Sequence, residues 1–194
     1  MFYKGVFNLP PTPKYTRDEI INAAYNLVRD NGLTALTARD LAKKLGTSPR
    51  PIFTAFKNMD DLKNEVIKKA FNTFEEYPKN EIESGNYPTY KATGMAYIRL
   101  AKEEKNIFKL LYMRDRTGEG KNDFEDYSLA INALKNHANI TDDEALLVHL
   151  KMWIYVHGIA TMLATSYLDF NFDEISNLIT DMYNRLISNI SGGK

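Results

Sequence analysis

The chain has 194 residues, no cysteine, and 25 Lys+Arg against 25 Asp+Glu. That length fits one domain, or a small domain fused to a larger one, and the missing cysteine excludes disulfides, thiol nucleophiles and cysteine-ligated zinc. The net charge of zero hides a segregation: residues 1–70 carry twelve basic and seven acidic side chains, a net of +5, and residues 71–194 a net of −5, so a basic head precedes an acidic body.

Pro10, Pro11 and Pro13 hold the first residues out of regular structure, so residues 1–14 read as an irregular arm. The arm has no apolar run of signal-peptide length. No stretch of about 18 apolar residues lacks charge, so no membrane helix is expected. The first helix opens at Thr16-Arg17-Asp18-Glu19, a capping box in which Thr16 and Glu19 satisfy each other's backbone N–H groups. Ile20, Ala24, Leu27 and Val28 follow at helical spacing, and Asn31-Gly32 ends the helix. Thr37 opens a second helix of about two turns, closed by Gly46. Ser48 as N-cap and Pro49 at the first helical position predict a short third helix from Ser48. Asn58 caps a fourth, carrying Leu62, Val66, Ile67, Ala70, Phe71 and Phe74.

Pro78, Gly85 and Pro88 mark a break over residues 77–88. Helical pattern resumes with Met95, Tyr97, Ile98, Leu100 and Ala101, then with Ile107, Phe108, Leu110, Leu111 and Tyr112. The charged, glycine-bearing stretch from Arg114 to Lys121 reads as an exposed loop. Residues 124–138 form another helix. Thr141-Asp142-Asp143-Glu144 is a second capping box, opening a long helix through Leu168. A last helix covers 173–190, and 192–194 fray. No strand pattern appears, so the fold class is all-α, with roughly nine helices.

Two short helices joined by a glycine turn, braced by a third, make a helix-turn-helix. The second helix of the pair must be short and exposed to enter a major groove, with small, polar or basic side chains at its start. Ser48, Pro49, Arg50, Pro51 and Thr54 meet that need. Arg50 is the candidate base reader, since a guanidinium can grip guanine O6 and N7 together. Lys43, Lys44, Lys57 and Lys63 are candidate phosphate contacts, as is Thr37. Spacing and charge leave a second reading open, a small three-helix bundle with a solvated basic face.

Residues 15–67 resemble the DNA-binding domain of the tetracycline-repressor (TetR/AcrR) family. Ile20-Ile21-x-Ala23-Ala24, Asn31-Gly32 and Leu36-Thr37-Ala38-Arg39-Asp40-Leu41-Ala42-x-x-Leu45-Gly46-Thr47-Ser48 carry the likeness. It continues through Pro51-Ile52-Phe53-x-x-Phe56-x-Asn58-x-Asp60-x-Leu62. The resemblance implies a helix-turn-helix domain over 15–60 and a helical ligand-binding and dimerisation domain over 61–191, with the fourth helix as connector. It implies a bacterial, cytoplasmic regulator that binds a palindromic double-stranded DNA operator as a homodimer, usually repressing. A small apolar or amphipathic effector would alter that binding. Three positions depart from the family pattern. Phe53 stands where a tyrosine usually bonds phosphate, Ala55 where His or Tyr is usual, and Met59 where a lysine usually touches the backbone. They support an alternative, a helical small-molecule-binding or interaction protein with weakened DNA binding.

In the body, Trp153-x-x-x-His157-Gly158 resembles a motif in the C-terminal domains of some members of that family. His149, Trp153 and His157 share one helix face. The two histidines lie about 12 Å apart along the helix, too far to share an ion unaided, so neither metal nor cofactor is expected. Tyr97, Phe108, Tyr112, Met152, Trp153, His157 and Met162 are candidates for an apolar ligand pocket; each is also a candidate for plain core. The resemblance places the dimer interface on the last two helices, with Leu163, Tyr167, Leu178, Met182 and Leu186 as candidates. A small-residue patch, Gly158, Ala160, Thr161, Ala164 and Thr165, faces either that interface or the subunit's own core. No phosphate loop or nucleophile turn is present, so an enzyme is not expected.

Overall fold

The computed structural model describes residues 14–117 and 128–191. Its described residues form ten α-helices and one 3-10 turn, with no strand among them. The expected arm up to residue 13, the frayed end and residues 118–127 lie outside the described residues. So do the glycine-bearing half of the expected loop and the first residues expected in the helix that follows it.

The head contains α1 (Arg17–Asn31), a 3-10 turn at Leu33–Ala35, α2 (Ala38–Leu45), α3 (Arg50–Ala55) and the start of α4 (Met59–Phe74). Local capping chemistry sets most of these boundaries. The Thr16–Glu19 box closes at both ends of its reciprocal pair. The Thr37 hydroxyl accepts from the Asp40 N–H, and the Asn58 side chain accepts from the Asp61 N–H. Gly46, at φ +65° and ψ +38°, ends α2 in the left-handed conformation that glycine adopts without strain. The Thr47 N–H donates to the Ala42 carbonyl and the Gly46 N–H to that of Lys43, a complete Schellman turn. Ile20, Ala24, Val28, Leu41, Ile52, Leu62 and Val66 fill the head's core, all fully buried.

The body contains α5 (Glu76–Glu83), α6 (Thr89–Glu103), α7 (Lys105–Tyr112), α8 (Ser128–Ala138), α9 (Asp142–Ala164) and α10 (Phe172–Ser191). Helix α5 occupies the stretch where Pro78 and Gly85 suggested a break. Pro78 falls in its first turn, where a missing N–H breaks no helical bond, and Gly85 follows its end at φ +67°. Helix α6 runs through the middle and packs on α5, α7, α8 and α9. Helix α9 stops four residues short of the expected Leu168. Ser166 takes φ +57°, and the Tyr167 N–H turns back to the Met162 carbonyl at 2.9 Å. The Lys105 ammonium holds the Ser166 hydroxyl at 2.8 Å. Among the described residues α9 is the one helix long and apolar enough to cross a membrane; its apolar residues divide between the core and an exposed face.

One long helix joins the two parts. α4 begins at Met59, just after α3, and ends at Phe74 inside the body. A second seam lies between α1 and α7: the Arg29 guanidinium pairs with the Glu104 carboxylate, and the Asn106 amide donates to the Arg29 carbonyl at 2.9 Å.

Candidate nucleic-acid interface and body cavity

Helix α3 is six residues long and begins at Arg50, not Ser48. Proline chemistry explains the shift. Pro51 removes one of the two N–H groups, at the second and third helical positions, that a Ser48 cap could use, and no side-chain cap bond forms. The Ile52 N–H instead closes onto the Pro49 carbonyl at 3.0 Å. Ser48, Pro49, Arg50, Phe53 and Thr54 are exposed, while Pro51 is half-buried and Ile52 fully buried beneath them. The Thr54 hydroxyl donates to the Arg50 carbonyl at 3.0 Å. Phe53 is 50% exposed, an aromatic ring standing clear on the same helix.

Around α3 the candidate phosphate contacts differ. Lys43 and Lys57 are exposed. Lys44 pairs with Asp30 at 3.2 Å, which offsets its charge. The Thr37 hydroxyl is engaged with Asp40 at both its donor and its acceptor. Ala55 and Met59, two of the departures from the family pattern, are half-buried.

Arg17, which sequence patterns did not single out, fastens α3 in place. Its guanidinium donates to the Ala55 carbonyl at 2.7 Å, lies 4.1 Å from the Phe56 ring centroid and pairs with Glu65 at 3.3 Å. A C-terminal carbonyl of α3, an aromatic face and a carboxylate on α4 thus share one cation. Tyr15 does similar work for α2, donating its hydroxyl to the Leu45 carbonyl.

The body encloses a cavity of about 490 Å³ between α6, α8, α9 and α10, with Phe74 of α4 and Tyr112 of α7 at its wall. Of the pocket candidates, Tyr97, Tyr112, Met152 and Trp153 line it. Three other candidates do not. Phe108 is fully buried in the core, because its position on α7 faces α6. Met162 is exposed on the outer face of α9. His157 stands behind the wall: it stacks on Trp153, with centroids 5.2 Å apart and planes within 12°, and its Nδ1 shares a 2.8 Å hydrogen bond with the Tyr97 hydroxyl.

All three histidines of the chain pair with a tyrosine in this way. Tyr90 and His149 Nδ1 are 3.3 Å apart, and Tyr183 and His137 Nδ1 are 3.1 Å apart. Burial lowers the pKa of the His149 and His157 rings and raises that of the Tyr90 and Tyr183 hydroxyls. The Tyr90–His149 pair is thus a neutral hydrogen-bonded pair. No group of three or more His, Asp or Glu converges for a metal ion among the described residues.

The cavity's two ends differ in character. Phe74, Tyr97, Tyr112, Trp153 and Val156 make an aromatic and apolar floor; Lys91, Thr180, Tyr183 and Asn184 make a polar mouth. Sequence reasoning missed Tyr90, Lys91 and Tyr183. Tyr90 and Lys91 sit on α6 and Tyr183 on α10, and no periodicity links the two helices.

The dimer candidates also separate. Leu163 is 3% exposed and packs in its own subunit's core, so it offers no surface to a partner. Tyr167 and Leu178 are exposed, and Met182 and Leu186 half-buried. The small-residue patch splits: Ala160 and Ala164 are buried, while Gly158 and Thr161 are half-buried and Thr165 exposed. Leu146, Leu150, Ile154, Gly158 and Met162 recur every fourth residue along α9 as one ladder. Its four large side chains are exposed, and nothing lies within 4 Å of where a Cβ on Gly158 would stand.

Residues 20–66 match the family described as bacterial regulatory proteins, tetR family. Over 86 residues, 44% of this chain, the sequence is 27% identical to the HTH-type transcriptional repressor KstR2 of Mycolicibacterium smegmatis. That alignment spans 42% of the repressor's length. The matched segment, with α2 and α3 joined by a left-handed glycine turn and α3 exposed, is thus a helix-turn-helix head similar to that of the tetR family of bacterial regulatory proteins.

Proposed function

We propose that the protein is a ligand-responsive repressor of transcription. It binds a palindromic operator as a homodimer, and a small molecule held in the body cavity changes that binding. One observation carries this reading: α4 starts beside the exposed α3 and ends with Phe74 in the cavity wall. A helix that touches both places can transmit a preference of the ligand for one arrangement of the head.

On the DNA side, Arg50 reads base edges in the major groove, and Phe53 offers its ring to bases or sugar. Ser48, Pro49, Pro51 and Thr54 shape the contact surface. Lys43 and Lys57 pair with phosphates, with Lys44 and Thr37 at the margin. On the ligand side, Tyr97, Tyr112, Met152 and Trp153 form the wall, and His157 orients Tyr97 and Trp153. The exposed ladder on α9, together with Tyr167, Leu178, Met182 and Leu186, supplies the apolar surface of the dimer. Such a contiguous apolar face is what association covers, and two half-sites demand two copies of α3 at a fixed separation. The repressing sense rests on the family and on the named function of the partial relative.

An electrophoretic shift assay on DNA upstream of the protein's own gene tests the reading. A specific, salt-sensitive complex is expected. No specific complex at low salt would overturn it, and would favour a small-molecule-binding protein without a DNA target.

A further inference from the structure

Among the described residues lining the cavity, Lys91 is the one cation and no carboxylate is present. Its ammonium is held by neutral groups. The Ser176 hydroxyl lies at 2.6 Å and that of Thr180 at 2.8 Å, and the Tyr87 ring centroid at 4.9 Å. Two hydroxyls and a ring solvate the charge without neutralising it. Burial lowers the pKa of Lys91 with no opposing carboxylate to raise it. The floor behind it is aromatic and apolar, and the histidines beside it are tied to tyrosine hydroxyls.

We infer that the cavity takes an amphipathic carboxylate, its negative end on Lys91 between Ser176 and Thr180, its apolar body against Trp153, Tyr97 and Phe74. This inference rests on the reading of the cavity as a ligand site and names the chemistry of the ligand. A single ammonium suits a single negative charge. A phosphate would call for more cations or a guanidinium fork. A cationic ligand would gain from the aromatic floor and lose to Lys91 at the mouth. A neutral apolar molecule would fill the floor and leave the ammonium without a counter-charge.

Trp153 is the chain's single tryptophan and lines the floor, so its fluorescence reports occupancy. The full-length protein is titrated at neutral pH with decanoate, methyl decanoate and decylamine, and with 2-naphthoate and its methyl ester as a second body shape. At least one acid is expected to bind about tenfold or more tighter than its ester, the usual size of a hydrogen bond to a charged group. The amine is expected to bind weakest. Lys91→Met should bring acid and ester within about twofold of each other, with ester affinity unchanged, and Lys91→Arg should keep the preference. Thr180→Val should weaken acid binding alone.

Equal affinity for acid and ester in the unaltered protein, or tighter binding of the amine, would overturn the carboxylate and leave the ligand cavity standing. An acid preference that survives Lys91→Met would also overturn it. No fluorescence response to any of the five compounds would overturn both. Operator binding, measured separately, would be untouched by either failure.

Discussion

Two residue-scale predictions separate reading from tuning. Arg50 is exposed at the first position of α3. Arg50→Ala should cost on the order of 1–3 kcal/mol in operator affinity and relax preference at one base position, as read by competition with single-base variants of the site. Unchanged preference would remove Arg50 from the readers. The second prediction concerns the half-buried His149 and His157 imidazoles. Burial holds the His149 and His157 pKa values below the usual histidine range. Well above about pH 6.5 both rings are neutral, folded or unfolded, and add nothing to the pH dependence. Below it the unfolded chain takes up protons that the folded chain resists, so stability falls as pH drops toward the lowered folded values. Urea midpoints measured between about pH 7.5 and pH 5.5 should fall less steeply in the H149Q/H157Q double variant; an equal slope would contradict the assignment. At this scale the sequence was only partly informative. The His149–Trp153–His157 stripe is visible in spacing. Yet helical periodicity cannot say that Phe108 faces inward, that Met162 faces out, or that Lys91 on one helix meets Ser176 and Thr180 on another.

Elements were more legible, because caps act over three residues. Thr16, Thr37, Asn58 and Thr141 each bond the N–H expected of them. Ser48 makes no such bond, and Pro51 stands without an N–H at one of its two target positions. Helix α9 ended early for a tertiary one, the Lys105 contact that secures Ser166 in a left-handed turn. Arg17 gives the prediction that belongs here. Arg17→Ala removes the Ala55 carbonyl's partner, the cation on Phe56 and the pair with Glu65 together. It should destabilise the head by about 1–2 kcal/mol and weaken binding to all DNA sequences alike. Hydrogen exchange should rise in residues 50–56 and stay level in α9. A change in base preference would instead make Arg17 a reader.

Over the whole molecule, the zero net charge resolves into a +5 segment ahead of a −5 segment, and the exposed α3 lies in the basic one. A field of that kind orients the head toward phosphate and keeps the body away. The apolar ladder on α9 sets the last prediction. Ile154 is 59% exposed at its centre. If the protein dimerises through this ladder as proposed, Ile154→Glu should leave the helical content intact and give a monomer in sedimentation. Operator affinity should then fall, since two half-sites bound separately lose the advantage of linkage. A monomeric unaltered protein would refute the interface. The ladder escaped the sequence reading because Leu146, Leu150 and Ile154 look like core positions until the fold shows which side of α9 is covered.

The way α4 meets the cavity also bears on how such a protein can diverge. Nearly all the cavity lining comes from helices that contribute nothing to α3 or its surroundings; Phe74 alone belongs to the helix that both regions share. Substitutions on α6, α8, α9 and α10 can therefore retune the cavity and leave the head inherited intact. Drift in the first seventy residues can move to a new DNA site without altering what the cavity holds. Phe74 is the exception: a change there is felt at both ends, and selection on it should be correspondingly strict.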